Sequence, residues 1–147
     1  MQNKFMELAI EEARLALEED EVPVGAVIVK DGQVIASAHN MCEQKKNATL
    51  HAEVLAINNA MKKLNSSRLN GCEMYVTLEP CAMCCGAISH ARISRLYFGA
   101  YDKLLGCVVS NMNLLDESSP LNSVEYYCGI AEDECSFILK DFFKNKR

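Results

Sequence analysis

Two β-rich runs, VPVGAVIVK (residues 22–30) and QVIASAHN (residues 33–40), are joined by Asp31-Gly32. A two-residue hairpin loop needs positive φ at both central positions, and Asp-Gly is among the few pairs that tolerate this. The chain is thereby committed to an antiparallel strand pair near its start, and the remaining residues must extend that sheet or cover it.

The flanking periodicities show how. Over residues 3–19, Phe5, Ala9, Ala13 and Ala16, with Leu8 and Leu15 nearby, repeat at helical spacing and stop before Val22-Pro23. After a polar loop, Val54, Ile57, Met61 and Leu64 mark one stripe of a helix over residues 51–64. Met74 to Leu78 reads as a strand, and Pro80 suits the first turn of a helix running from Cys81 to about His90. Ile93 to Phe98 is a further strand and Ser123 to Tyr127 a weaker one. Ala131, Cys135, Ile138 and Phe142 outline a last helix, while residues 102–122 carry no assignable pattern. A hairpin followed by alternating helices and strands implies an α/β fold with a mixed sheet, antiparallel at one end and parallel beyond it, and helices on both faces. At 147 residues, half of them hydrophobic, the chain fits one domain over residues 1–147.

Bulk properties narrow the function. No run of about 18 uncharged apolar residues occurs, and the start carries glutamates within its apolar pattern, so a membrane span and an export signal are not expected. Eight cysteines lie below the roughly 8–10% density of a disulfide scaffold. The expectation is a cytoplasmic chain whose cysteines bind metal or lie buried. A net charge of −5 argues against a broad basic surface for nucleic acid. The best local basic patch is Lys140, Lys144, Lys146 and Arg147, with Lys45, Lys46, Lys62, Lys63 and Arg68 elsewhere.

Two fragments carry chemistry: His51-Ala52-Glu53 and Pro80-Cys81-Ala82-Met83-Cys84, each at the start of an expected helix. His-x-Glu alone is a weak signal. Cys-x-x-Cys is stronger, because residues three apart share a helix face and thiolates gain from the macrodipole at a helix N-terminus. Together, two thiolates and one imidazole give three tetrahedral zinc ligands and leave a fourth position for water, whose pKa zinc lowers from about 15.7 toward about 7. Glu53, roughly 200° around the helix from His51, is poorly placed as a neighbouring ligand but can reach such a water as general acid and base. Cys84 and Cys85 both fall near Cys81 on a helix, and spacing does not choose between them. Cys42, Cys72, Cys107, Cys128 and Cys135 lack paired metal spacing and read as small, largely buried residues. His39 and His90 read as structural.

His-x-Glu with Pro-Cys-x-x-Cys is the signature of zinc nucleobase deaminases. Together with EVPVGAVIVKDGQVIASAHN, LHAEVLAINNA, MYVTLEPCAMCCGAISHARI, YFGAYDK and DFFKNKR, it resembles the bacterial tRNA-specific adenosine deaminases over nearly the whole chain. The resemblance implies a three-layer α/β/α cytidine-deaminase-like fold with a five-stranded mixed sheet, a homodimer, one zinc per subunit, and conversion of adenosine to inosine at the first (wobble) anticodon position of tRNA by hydrolytic attack at C6. It also implies Cys84 as the third ligand and Glu53 as the catalytic acid and base. Asn40 matches an asparagine that hydrogen-bonds the flipped base, and Asp102 an aspartate near the ribose. Phe142 and Phe143 match a terminal helix that touches the anticodon stem-loop.

The chain departs from the family at Asn47-Ala48-Thr49-Leu50, where a proline is usual and its loss is expected to leave the loop less fixed. It departs again at Tyr101, where a basic residue is frequent, and at Leu104-Leu105 and Val108-Val109. The runner-up reading is a deaminase of free guanine or cytosine, which the acidic charge favours and the terminal DFFKNKR opposes. A cytidine deaminase would present cysteine in place of His51. A purely structural zinc module would fill all four positions with protein ligands, and a redox dithiol leaves His51 and Glu53 unexplained.

Overall fold

The computed structural model of the protein describes residues 3–146. Its elements are α1 (Lys4–Glu18), β1 (Gly25–Lys30), β2 (Gln33–His39), α2 (Ala52–Leu64), β3 (Cys72–Leu78), α3 (Ala82–His90), β4 (Arg95–Ala100), β5 (Glu125–Tyr127) and α4 (Glu132–Asn145). The hairpin forms as its loop chemistry dictates: Asp31 has φ 51° and Gly32 φ 76°, and Lys30 pairs with Gln33. Pairing passes from Ile28–Ala36 to Val29–Val34, so Ile35 is one extra residue on β2, a bulge that bends the outer strand.

The five strands lie in the order β2-β1-β3-β4-β5. β1 is antiparallel to both β2 and β3, whereas β3, β4 and β5 are parallel. β2, β3 and β4 therefore all end at the same edge of the sheet, where a ligand site of an open α/β sheet belongs. α1 and α4 pack on one face, and α2 and α3 lie together on the other, giving three layers. One continuous cluster of apolar side chains, including the fully enclosed Ile28, Met74, Leu96 and Phe98, joins the layers. Burying each such side chain contributes roughly 1.5–3 kcal/mol.

α1 is opened by Asn3, whose Oδ1 accepts from the N–H groups of Phe5 and Met6, both at 3.0 Å. It ends before the expected proline stop, where Asp20 turns to φ 61°. Its buried face is built from Ala9, Ala13 and Ala16 with Met6 and Ile10, whereas Leu8 and Leu15 are exposed. The small residues let α1 rest directly on β1: a Cβ at Gly25 would fall 2.0 Å from the Ala9 carbonyl oxygen. β4 starts at Arg95, two residues later than its pattern suggests, because Arg92 adopts φ 67° and the turn consumes Ile93. Residues 102–122 form a chain of turns, in which Asn111 Nδ2 donates to the carbonyls of Lys103 and Gly106. None of the described helices is long and apolar enough to cross a membrane.

Candidate active site

The site lies at the sheet edge reached by β2, β3 and β4. β3 runs through Glu79-Pro80 into Cys81, the N-cap of α3, and His51 is the N-cap of α2. Neither residue uses its side chain to cap its helix. The capping of α2 is done instead by Asn40, at the end of β2, whose Oδ1 accepts from the Ala52 N–H at 2.8 Å. His51 is thereby released to point away from its own helix.

His51 Nδ1 lies 3.7 Å from Cys81 Sγ and 3.4 Å from Cys84 Sγ. Tetrahedral zinc, with bonds of about 2.3 Å to sulfur and about 2.05 Å to nitrogen, would set these separations near 3.6 Å. All three ligand atoms lie within 4.8 Å of one another, and no fourth His, Cys, Asp or Glu joins the group among the described residues. The ambiguity between neighbouring cysteines resolves in favour of Cys84, since Cys85 turns its thiol away, toward the Pro80 carbonyl at 3.8 Å. The protonation chemistry agrees. The hydrogen bond with Cys84, followed by that with His51, pulls the Cys81 thiol down to about 4, while the same contact and burial push Cys84 up. Two thiols competing for one proton form a donor set that a divalent cation satisfies by displacing it.

Glu53, in the first turn of α2, is only 4% exposed. Burial lifts its carboxyl to about 7, against the opposing pull of its own backbone N–H and of His51. A carboxyl titrating near neutral pH beside the ligand cluster is suited to both accepting and donating protons.

The remaining expected site residues divide. Asn40 is half-buried, and with its carboxamide oxygen committed to α2, its NH2 end is the one open to a ligand. Asp102 follows β4, and its Oδ1 accepts from the N–H groups of Leu104 and Leu105 at 3.1 and 3.0 Å. Phe142 and Phe143 part company, because adjacent helical residues diverge by about 100°. Phe142 is 7% exposed and packed into the core, whereas Phe143 is 52% exposed and lines a shallow concavity with Leu139, Lys140 and Lys144. Lys146 pairs with Asp20 at 2.6 Å, and Arg147 lies outside the described residues. His39 is structural as expected, its two ring nitrogens held by Glu12 and Glu19 at 2.7 and 2.8 Å, and His90 is exposed. Of the five remaining cysteines, Cys72, Cys107 and Cys135 are buried, but Cys42 and Cys128 are only half-buried.

Two buried glutamates leave no functional signature in the sequence. Glu21 accepts from the N–H groups of Glu43 and Gln44 at 3.1 and 2.7 Å. Asn47 Oδ1 accepts from the Thr49 N–H and hydroxyl. These bonds fix the loop before His51, so the missing proline is compensated rather than felt as slack. The other is Glu79, between β3 and Pro80, whose carboxylate faces the segment after Asp102. Its only sequence signal is a charged residue ending an otherwise buried strand, hard against a metal motif.

Residues 1–100 match the family described as the cytidine and deoxycytidylate deaminase zinc-binding region. The chain is 49% identical over 145 residues to a tRNA-specific adenosine deaminase of Aquifex aeolicus, covering 97% of this chain and 94% of that protein. It is 46% identical over 144 residues to the corresponding protein of Rickettsia typhi, covering 97% of each. A solved structure from a study of A-to-I editing by tRNA:A34 deaminases at the wobble position superposes with a TM-score of 0.88 at 48% identity, over 92% of this chain and 99% of that one. With its zinc ligands converged and these relatives matched end to end, the chain belongs to the cytidine and deoxycytidylate deaminase family and, within it, to the tRNA-specific adenosine deaminases.

Proposed function

We propose that the protein is a zinc-dependent hydrolase that converts adenosine to inosine at the wobble position of a tRNA, releasing ammonia. The observation that carries this is the convergence of His51, Cys81 and Cys84 with a buried Glu53, in a chain whose full-length relatives act on tRNA. Zinc, held by those three residues, supplies a water activated for attack at neutral pH. Glu53 is the proton carrier: it takes one proton from the attacking water and delivers it to the purine N1, then takes the second from the hydroxyl added at C6 and delivers it to the departing amine, giving inosine and ammonia. Asn40 offers its NH2 group to the flipped base, and Asp102 its second carboxylate oxygen to the ribose. An anticodon loop presents unstacked bases, so flipping the target is cheaper there than in a duplex.

In this reading Phe143 supplies an exposed ring and Lys140 and Lys144 the cations for the loop backbone, a local patch that is compatible with an acidic chain. Met83, Leu104, Leu105 and Met112 are exposed around a concavity of about 420 Å³ beside Cys81, an apolar surface that a second copy in a homodimer would cover. Sedimentation as a monomer at micromolar concentration would remove that assignment. The whole chain is read as one deaminase domain working in the cytoplasm, where tRNA is matured. Free guanine or cytosine is the less favoured substrate, since the terminal patch would be idle.

The test is inosine formation by the zinc-loaded protein on an anticodon stem-loop with adenosine at the wobble position, beside ammonia release from free guanine, cytosine and adenine. Inosine in the RNA alone is expected, and ammonia from a free base alone would keep the chemistry and replace the substrate. On the same RNA, removing residues 144–147 is expected to weaken binding and flatten its salt dependence by about one to two phosphate contacts. Unchanged binding would make that end a solvated helix terminus and nothing more.

A further inference from the structure

Glu79 is 2% exposed and has no cationic partner within salt-bridge distance among the described residues. Its charge is met by one loop. Oε2 accepts from the N–H groups of Val108, Val109 and Ser110 at 3.1, 2.9 and 2.9 Å. Oε1 accepts from the Asp102 N–H at 3.1 Å and from the Ser110 hydroxyl. Gly106 is packed against this carboxylate so closely that a Cβ there would lie 2.4 Å from Glu79 Cδ and 2.5 Å from the Asp102 carbonyl oxygen. The Cys107 N–H donates to the Pro80 carbonyl at 2.9 Å, completing the seam. A segment without helix or strand is thus folded around one side chain, because three successive N–H groups form an anion-binding concavity.

Glu79 sits two residues before Cys81, so the side chain that orders the loop shares a rigid backbone with a zinc ligand. The loop it orders starts at Asp102, the residue offered to the ribose, and continues through Leu104, Leu105 and Met112, which share one concavity with Cys81 and Met83. We infer that Glu79 is a positioning residue for the substrate, fixing the distance between the metal ligands and the Asp102 loop. This rests on the deaminase reading above, and it assigns Glu79 no contact with substrate or metal.

The two carboxylate oxygens do different work, which makes the inference testable by one atom. In Glu79→Gln the carboxamide oxygen is expected to take the concavity of residues 108–110. The NH2 group then faces the Ser110 hydroxyl, which can turn and accept, and the Asp102 N–H, which cannot. The substitution therefore keeps most of the loop and cuts its attachment at Asp102. The expected outcome is one zinc per chain, kcat within about threefold of the parent, and KM for the stem-loop raised about tenfold or more. Amide hydrogen exchange should quicken at Asp102 while residues 108–110 stay protected. Zinc loss with a parallel fall in kcat would reduce Glu79 to a support for Cys81, and an unchanged KM with unchanged exchange at Asp102 would overturn the inference outright. Ser110→Ala, which removes only the hydroxyl, should leave KM within about twofold, and a tenfold rise there would move the role to Ser110. If the parent protein makes no inosine, the deaminase reading fails instead, and exchange at Asp102 in Glu79→Gln still decides whether Glu79 holds the loop.

Discussion

Glu53→Ala is expected to keep one zinc per chain and the native fold while losing about a thousandfold or more in kcat, on the order of 4 kcal/mol of transition-state stabilisation. The separation of effects comes from geometry. The ligand atoms belong to His51, Cys81 and Cys84, and Glu53 contributes none of them. Its contribution is a carboxyl lifted by burial to about 7, able to accept and donate protons in one cycle at neutral pH. Zinc content by atomic absorption and kcat on the stem-loop check the two halves, and zinc loss in this variant would make Glu53 a ligand. Stability carries a further signature. A carboxyl whose folded pKa is raised favours the folded state only while it stays protonated, so the fold loses stability as pH climbs from about 4.5 toward about 7. In the zinc-free protein, Glu53→Ala should therefore melt higher than the parent at pH 8 and level with it below pH 4.

The second large effect separates adjacent cysteines. Cys84→Ala is expected to abolish zinc binding and activity together, since its thiol stands 3.4 Å from His51 Nδ1 and no other cysteine joins this ligand group beside Cys81 among the described residues. Cys85→Ala should retain zinc and turnover. Its thiol faces the Pro80 carbonyl in the apolar core, and loss of one buried sulfur costs about 1–2 kcal/mol of stability. Zinc retained in Cys84→Ala and lost in Cys85→Ala would move the third ligand by one residue.

How much of this is visible in the sequence depends on whether the cause is local. The hairpin is legible because Asp31 and Gly32 are chosen for their own φ angles. α2 and α4 are legible because their apolar stripes repeat every three to four residues. The zinc ligands are legible as a motif, yet Cys84 and Cys85 separate only once α3 is packed, because facing is a tertiary property. Glu21 and Glu79 are invisible for the same reason: each acts on backbone N–H groups 22 to 31 residues away, and backbone groups leave no trace in side-chain patterns. Phe142 and Phe143 look like one aromatic pair in the chain and divide into core and surface only on the helix.

The ligands sit 30 and 33 residues apart, at the starts of two helices that are separated in the chain by β3 and lie together on one face of the sheet. In the unfolded chain a loop of about 30 residues must close before His51 can join Cys81 and Cys84, whereas the fold holds the three donors together, so the metal binds the native state more tightly. Zinc then acts as a lock on the whole architecture: its binding free energy adds to folding stability, about 2.7 kcal/mol at a free concentration one hundred times its Kd. Because capture requires both thiols to shed their protons, acidification loosens metal and fold together. Scarcity of zinc in the cell would thus lower the amount of folded enzyme as well as the activity of each molecule.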